Sequence, residues 1–197
     1  MKKVFVLIAA AIVCMSASAQ VQFGGKVGFD LTNFWGSDVE HGMKPSYQAG
    51  LMMEYKFNPN FAIAPEVVFA SQGGKYKVLD MNLFGIDLSK TVTFNTNYIN
   101  VPVMLKYYVT PAFSIDLGPQ VGFNVYSKYS IKDGDKATDI KDNTKAVDFG
   151  VGLGGTYNLT ENAFVQARYT MGMTKVFDGE YSNEKNGNIQ VAFGMKF

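Results

Sequence analysis

The chain is poor in the residues that most often carry chemistry, and it lacks long apolar runs after its first residues. Its 197 residues include one cysteine, Cys14, and one histidine, His41. No stretch beyond Val13 is uniformly apolar, and mean hydropathy is +0.00. A single cysteine excludes a disulfide framework within the chain and a multi-cysteine metal site. The low hydropathy is no evidence of solubility, because strands that alternate in polarity average to neutral.

The first nineteen residues have the pattern of a secretory signal peptide. A basic tip, Lys2 and Lys3, precedes an apolar core from Val4 to Val13, and small residues at 17–19 suit a cleavage site. We therefore predict a cleaved signal over residues 1–19 and one domain over residues 20–197. Cys14 leaves with the signal, and Val13 before it disfavours a lipid anchor. Removing Lys2 and Lys3 changes the formal net charge from +1 to about −1, so no nucleic-acid partner is expected.

A period of two runs through the rest of the chain. From Tyr98 to Val109, the odd positions such as Ile99 and Leu105 are apolar, whereas even positions such as Asn100 and Lys106 are mostly polar. Such alternation indicates a strand with one apolar face. The same phase recurs in segments of about ten residues, a pattern typical of a barrel with a lipid-facing wall and a polar lumen.

Eight such segments predict an all-β fold, an eight-stranded antiparallel up-and-down transmembrane β-barrel. Their connections alternate between short turns rich in Asn and Pro and four long loops, a pattern that fits periplasmic turns, external loops and periplasmic termini. In-strand prolines Pro65, Pro102 and Pro119 predict bulges or stretched pairing. The predicted strands run from Val21 to Leu31, Tyr47 to Phe57, Phe61 to Ala70, Thr91 to Val109, Phe113 to Tyr126, Val147 to Tyr157, Ala163 to Met173 and Ile189 to Phe197.

The run from Tyr98 to Tyr108, the following Gly118-Pro119-Gln120-Val121-Gly122 and the final Phe197 resemble the PorT-like small outer-membrane β-barrel domain family. That family is similar to the eight-stranded barrels of OmpA and OmpX type. The resemblance covers the whole mature chain and implies architecture without catalytic residues. It also implies that Phe193 and Phe197 form the signal read by the barrel assembly machinery, in an outer membrane of a Gram-negative bacterium.

The predicted lumen holds five charges of each sign. A lumen this narrow is filled by side chains, and buried charges there must be paired, so we expect a structural network; an ion path or proton relay is the alternative. The network consists of Lys26, Glu54, Lys56, Glu66, Lys106, Asp116, Asp148 and Arg168, with Asp30 and Lys196 completing the balanced set.

The predicted loops offer contact residues and little chemistry. His41 has Ser37 and Ser46 nearby without a third group to orient it, so no catalytic site is expected. The aspartates at 133, 135, 139 and 142 lack the calcium-loop spacing, so no metal or other cofactor is expected. Loop aromatics can contact a partner outside the cell, or they can fold back over the barrel mouth or lie in the lipid interface, and the contact candidates are Phe34, Trp35 and Phe84.

Three functions fit these features. The first is a structural or adhesion-like barrel that meets membrane lipid with its wall and an extracellular partner with its loops. The second is a narrow porin or channel. The third is a soluble periplasmic ligand-binding barrel, which the inward placement of Lys106 and Glu54 disfavours because such a barrel would keep its apolar face inside.

Overall fold

The computed structural model describes residues 20–36, 41–79, 82–83, 86–87, 90–131, 138–139, 144–176 and 183–197. Eight long antiparallel strands close into one barrel, as predicted: each strand pairs with its neighbours in sequence, and the first pairs with the last. They are β1 (Val21–Trp35), β2 (Lys44–Lys56), β3 (Phe61–Gln72), β4 (Lys90–Tyr108), β5 (Phe113–Ile131), β6 (Val147–Asn158), β7 (Ala163–Gly172) and β8 (Lys185–Lys196).

The barrel has two unlike ends. Three short turns at residues 57–60, 109–112 and 159–162 lie at one end, which we call the turn end. The opposite, loop end carries the longer connections and four short pairings: His41–Gly42 with Lys75–Leu79, Lys75–Leu79 with β4, Asn82–Leu83 with Ile86–Asp87, and Thr138–Asp139 with β5. The described part of the chain contains no helix long and apolar enough to cross a membrane. The predicted signal peptide lies outside the described residues.

The two faces of the wall follow the alternation in the sequence. Odd positions such as Val67, Leu117 and Val191 are exposed on the outer face. Outward aromatic side chains ring the wall near both ends, as in lipid-facing barrels with a girdle at each membrane interface. The turn-end girdle comprises Phe57, Phe61, Tyr107, Phe113, Tyr157 and Phe197, and the other comprises Phe29, Tyr47, Phe69, Phe123, Phe149 and Tyr169.

Most strands extend further toward the loop end than the alternation predicted. β1 continues to Trp35 and β5 to Ile131, so parts of the predicted loops are strand. The chain beyond β3 bends at Gly73. This residue has a φ of +129°, and a Cβ there would lie 2.0 Å from the Phe94 carbonyl oxygen. Beyond this kink, Lys75–Leu79 pairs with β4 again. Lipid no longer selects the outer face here, so the period of two fades.

The three in-strand prolines stretch the pairing without shifting it. A proline has no N–H for the ladder, and two successive pairs are missing at each affected interface. The register is the same on both sides of every gap, so the bulges allowed by the sequence do not form at these positions. The gaps lie between Met52–Glu66 and Tyr55–Ile63, between Pro65–Val103 and Val68–Asn100, and between Pro102–Gln120 and Leu105–Leu117.

A bulge occurs instead in β5, close to Tyr126, the predicted end of this strand. Tyr98 pairs with Asn124 and Asn97 with Tyr126, which leaves Val125 as the extra residue. Val125 and Tyr126 are both exposed, and Ser127 is buried. The inward and outward phases are therefore exchanged beyond the bulge, a change that a strict period of two cannot reveal.

Candidate functional site

The lumen is the candidate site, and its central feature is a cluster around Glu66 on β3. Lys26 Nζ on β1 lies 2.6 Å from Glu66 Oε2, and Arg168 on β7 donates to both carboxylate oxygens at 2.9 and 2.7 Å. All three residues are at most 3% exposed. These hydrogen bonds cross the lumen from three different strands. Two cations thus share one carboxylate in the middle of the barrel.

A second cluster surrounds Glu54 on β2, nearer the turn end. Lys106 and Lys196 place their Nζ atoms 3.0 and 3.1 Å from Glu54 Oε2. The hydroxyl of Tyr108 donates to Glu54 Oε1. Lys56 has its Nζ 4.5 Å from the centre of the Tyr108 ring, a cation–π contact. Two lysines again share one glutamate, and a third lysine, Lys56, lies beside the Tyr108 ring.

Asp116 on β5 is buried but held by neutral donors. Ser114 donates to one oxygen at 2.7 Å and Thr156 donates to the other. Gln166 on β7 accepts from Lys26 at 2.8 Å and donates to Thr156 at 3.1 Å. Gln166 therefore connects the Glu66 cluster with Asp116, and polar side chains of β1, β3, β5, β6 and β7 form one network.

The loop half of the lumen is different, since its polar side chains are mainly amides and hydroxyls. Its carboxylates are Asp30, which accepts from Gln48 at 2.8 Å, and Asp148, which accepts from Asn186 at 2.7 Å. Neither forms a salt bridge in the described part of the chain. Lys44 at the rim donates to Ser71 and to the carbonyl of Gln72.

The lumen network thus differs from the paired set that the charge balance predicted. Lys26, Glu54, Glu66, Lys106 and Arg168 come together in ion pairs, joined by Lys196. Lys56, Asp116 and Asp148 form none among the described residues. Both glutamates take two cations each because their long side chains reach across the lumen, whereas the shorter aspartates stay near their own strands. Tyr108 was missed as a partner, although it shares the inward phase of Lys106.

Two aromatic contact candidates are not in a loop. Phe34 belongs to β1 and is 1% exposed, with its ring 6.5 Å from that of Phe94. Trp35 ends β1, donates from Nε1 to the Asn186 carbonyl and stacks under Lys185. The prediction of exposed loop residues is wrong for Phe34, because β1 keeps its alternation to its end and turns this ring inward. Phe84 lies outside the described residues. Phe193 and Phe197 point outward.

The described residues show no cluster of the usual metal-binding side chains. They contain no group of three or more His, Cys, Asp or Glu side chains placed to hold a metal ion. The faces also disagree with a soluble ligand-binding barrel, since the apolar side chains lie outside and the charges inside.

A closed barrel with an apolar wall, two aromatic girdles and a charged interior is an outer-membrane β-barrel. The chain belongs to the outer membrane protein beta-barrel domain family, which it matches over residues 16–178. This family places it in the outer membrane of Gram-negative bacteria.

Solved structures share the fold at low identity. Neisserial surface protein A (NspA) is 15% identical, with 89% of this chain and 97% of that chain covered and a TM-score of 0.57. Ail, the attachment invasion locus protein of Yersinia pestis, is 14% identical, with 90% and 99% covered and a TM-score of 0.54. No curated protein matches the sequence.

Proposed function

We propose that this protein is a non-conducting outer-membrane barrel that presents its loop end to partners outside the cell, a structural or adhesion-like role. The observation that carries this proposal is the length of two neighbouring strands. β4 and β5 each have 19 residues, whereas β7 has 10. About 9–11 residues span a membrane in a tilted strand, so one side of the wall continues well past the bilayer.

The interior supports this role over that of a pore. The Glu66 cluster joins β1, β3 and β7 across the lumen, and the Glu54 cluster lies between it and the turn end. An eight-stranded barrel has room for side chains and little more. The narrow channel is therefore the less supported alternative. Similarity to Ail and NspA concerns the fold alone, so the proposal rests on the residues of this chain.

Several sequence predictions remain part of the proposal. Residues 1–19 are a cleaved signal, Phe193 and Phe197 are read by the assembly machinery, and both termini face the periplasm. The run from Tyr98 to Tyr108 favours the PorT-like branch of the family. The absence of enzymatic activity and of a cofactor also stays a prediction.

Orientation can be tested with single cysteines, since Cys14 is the only native one and would leave with the signal. We expect a membrane-impermeant maleimide to label Lys128→Cys in the extended part of β5 on intact cells. Glu161→Cys, in a short turn, should be labelled only after the outer membrane is opened. Labelling of Glu161→Cys alone on intact cells would contradict the orientation.

The proposed contact with partners outside the cell is tested by comparing a loop variant with a turn variant. Residues 132–143 are replaced by a short Gly-Ser linker, and attachment of the cells to host-cell and abiotic surfaces is measured. We expect lower attachment at an equal amount of folded barrel. A matched replacement of 159–162 at the turn end serves as the control. Attachment equal to wild type in the first variant would refute the adhesion-like role.

A further inference from the structure

The loop half of the lumen concentrates buried oxygen atoms without hydrogen-bond partners. Nine buried side-chain polar atoms in the described residues have no partner, and seven of them are oxygens in this half. A buried polar atom without a partner costs about 1–3 kcal/mol, so oxygens of this kind are normally satisfied by water or by a bound ligand. The seven oxygens belong to Asp30, Thr96, Tyr98, Asp148, Thr170, Asn186 and Asn188.

Asp148 and Asn186 form the best-defined part of this region. Asn186 Nδ2 donates to Asp148 Oδ2 at 2.7 Å, which fixes the amide orientation, since the reverse would set a carbonyl against a carboxylate. Asp148 Oδ1 and Asn186 Oδ1 have no hydrogen-bond partner in the part of the chain that the structure describes. Asn186 is 2% exposed. The pair thus offers one carboxylate and one amide oxygen.

Tyr98 on β4, two strands away from Asp148 on β6, brings a third oxygen. Its side chain is 1% exposed and lies close to Asp148, Asn186 and Asn124. Its hydroxyl faces the amides of Asn186 and Asn124 without a hydrogen bond of good geometry within the described residues. Three strands, β4, β6 and β8, therefore bring oxygen atoms to the same place.

Glycines let these side chains pack closely against the wall. Gly122 pairs with Asp148, and a Cβ there would lie 2.6 Å from Asn100 Oδ1, 3.3 Å from the Tyr98 ring and 3.7 Å from Asp148 Cβ. Gly172 lies beside Asn186, and an added Cβ would lie 2.9 Å from its carbonyl oxygen. Larger residues at these two positions would displace the side chains of Tyr98, Asp148 and Asn186.

The charge of this region favours a cation. In the described residues, all salt bridges of the lumen involve Glu54 and Glu66, which leaves Asp148 without a charged partner. Asp148 is half-buried and hydrogen-bonded by Asn186 and Thr174, and a cation would supply the counter-charge that these neutral groups do not. Hard cations such as Ca²⁺ bind oxygen atoms, above all those of carboxylates, amide carbonyls and water.

We propose that Asp148, Asn186 and Tyr98 form a binding site for a hard cation of the Ca²⁺ type in the loop half of the lumen. With one carboxylate, the site belongs to the weak class of extracellular calcium sites, with Kd of about 0.1–1 mM. This inference stands independently of the proposed surface role.

The test uses mature barrel refolded in detergent, without lipopolysaccharide, and terbium(III) as the probe. Terbium(III) replaces Ca²⁺ at oxygen sites and luminesces when an excited tyrosine, here Tyr98, lies beside it. We expect saturable luminescence that CaCl₂ displaces. Asp148→Asn should weaken binding about tenfold or more, because ligand charge sets the affinity. Asp116→Asn, which removes another buried lumen carboxylate, should leave the affinity unchanged.

A gain-of-affinity variant covers the case in which Asp148→Asn does not fold. Asn186→Asp adds a second carboxylate and should tighten binding about tenfold. Folding of each variant is verified by heat-modifiability on gels. Absence of saturable binding in the wild type would overturn the proposal. Equal weakening by Asp148→Asn and Asp116→Asn, or unchanged affinity in Asn186→Asp, would also overturn it, since either result means adventitious ion binding only.

Discussion

The turn half and the loop half of this lumen are filled by different chemistry. In the turn half, Glu54 and Glu66 each hold two cations, and these groups are almost completely buried. In the loop half, amides and hydroxyls predominate, and several of their oxygens have no partner. One wall with one period of two therefore encloses a turn half that is closed by ion pairs and a loop half in which fewer polar atoms have hydrogen-bond partners.

A polar inner face by itself does not specify how a lumen is closed. Taking charges out of water is costly, and their attraction offsets that cost only when geometry and hydrogen bonding are good. Arg168 meets this condition through its two-point contact with Glu66. Neutral amides and hydroxyls carry no net charge, so the loop half is polar without ion pairs in the described part of the chain.

The largest expected effect is that of Glu66→Gln. This change leaves Lys26 and Arg168 buried without their counter-charge, and breaking a buried pair costs about 3–5 kcal/mol. We expect a loss of that size in the free energy of unfolding, measured by urea titration in lipid vesicles. Adding Arg168→Met should restore part of the loss. A loss below about 1 kcal/mol would show that the turn half is not held by its ion pairs.

The corresponding change in the second cluster, Glu54→Gln, should cost less, about 2–3 kcal/mol. Lys196 and Lys56 line a cavity of about 400 Å³ at the turn end, so water can take over part of the lost pairing. The same urea titration measures this difference. A cost equal to or above that of Glu66→Gln would contradict the ranking of the two clusters.

In the loop half, Asn188→Ala should cost less than about 1 kcal/mol. Asn188 is 2% exposed, and its Oδ1 has no hydrogen-bond partner among the described residues, so truncation leaves no buried charge unpaired. Matched unfolding curves of Asn188→Ala and Glu66→Gln compare the two halves directly. Similar losses of unfolding free energy in Asn188→Ala and Glu66→Gln would contradict the difference between the two halves of the lumen.

The smallest effect should come from added length at the loop end. An insertion of four glycine and serine residues after Gly134, which lies outside the described residues, should leave the folded yield unchanged because long loops accept extra residues at little entropic cost. The same insertion after Asn60 should reduce the yield, because Asn60 donates to the Tyr108 carbonyl in a tight turn. The measurement is the folded fraction on a heat-modifiability gel. Equal tolerance at both sites would contradict this contrast between the ends.

Much of the wall could be predicted from the sequence, whereas the lumen contacts could not. Alternation gave the eight strands and the inward placement of residues such as Glu54 and Arg168, because lipid selects apolar residues at every second position. Which cation meets which carboxylate depends on strand tilt and register around the closed barrel, and the sequence does not state these. The exchange of faces at Val125 and the burial of Phe34 were missed for a similar reason, since both lie where lipid no longer imposes the pattern.

The ion clusters of the turn half close the lumen. Single-channel recording of purified protein in a planar bilayer tests this closure, with the wild type and Arg168→Ala measured side by side. We expect no steady conductance steps in the wild type, since Glu66, Lys26 and Arg168 bridge the lumen. Reproducible wild-type steps whose size changes in Arg168→Ala would contradict it, because ions would then be passing through the cluster.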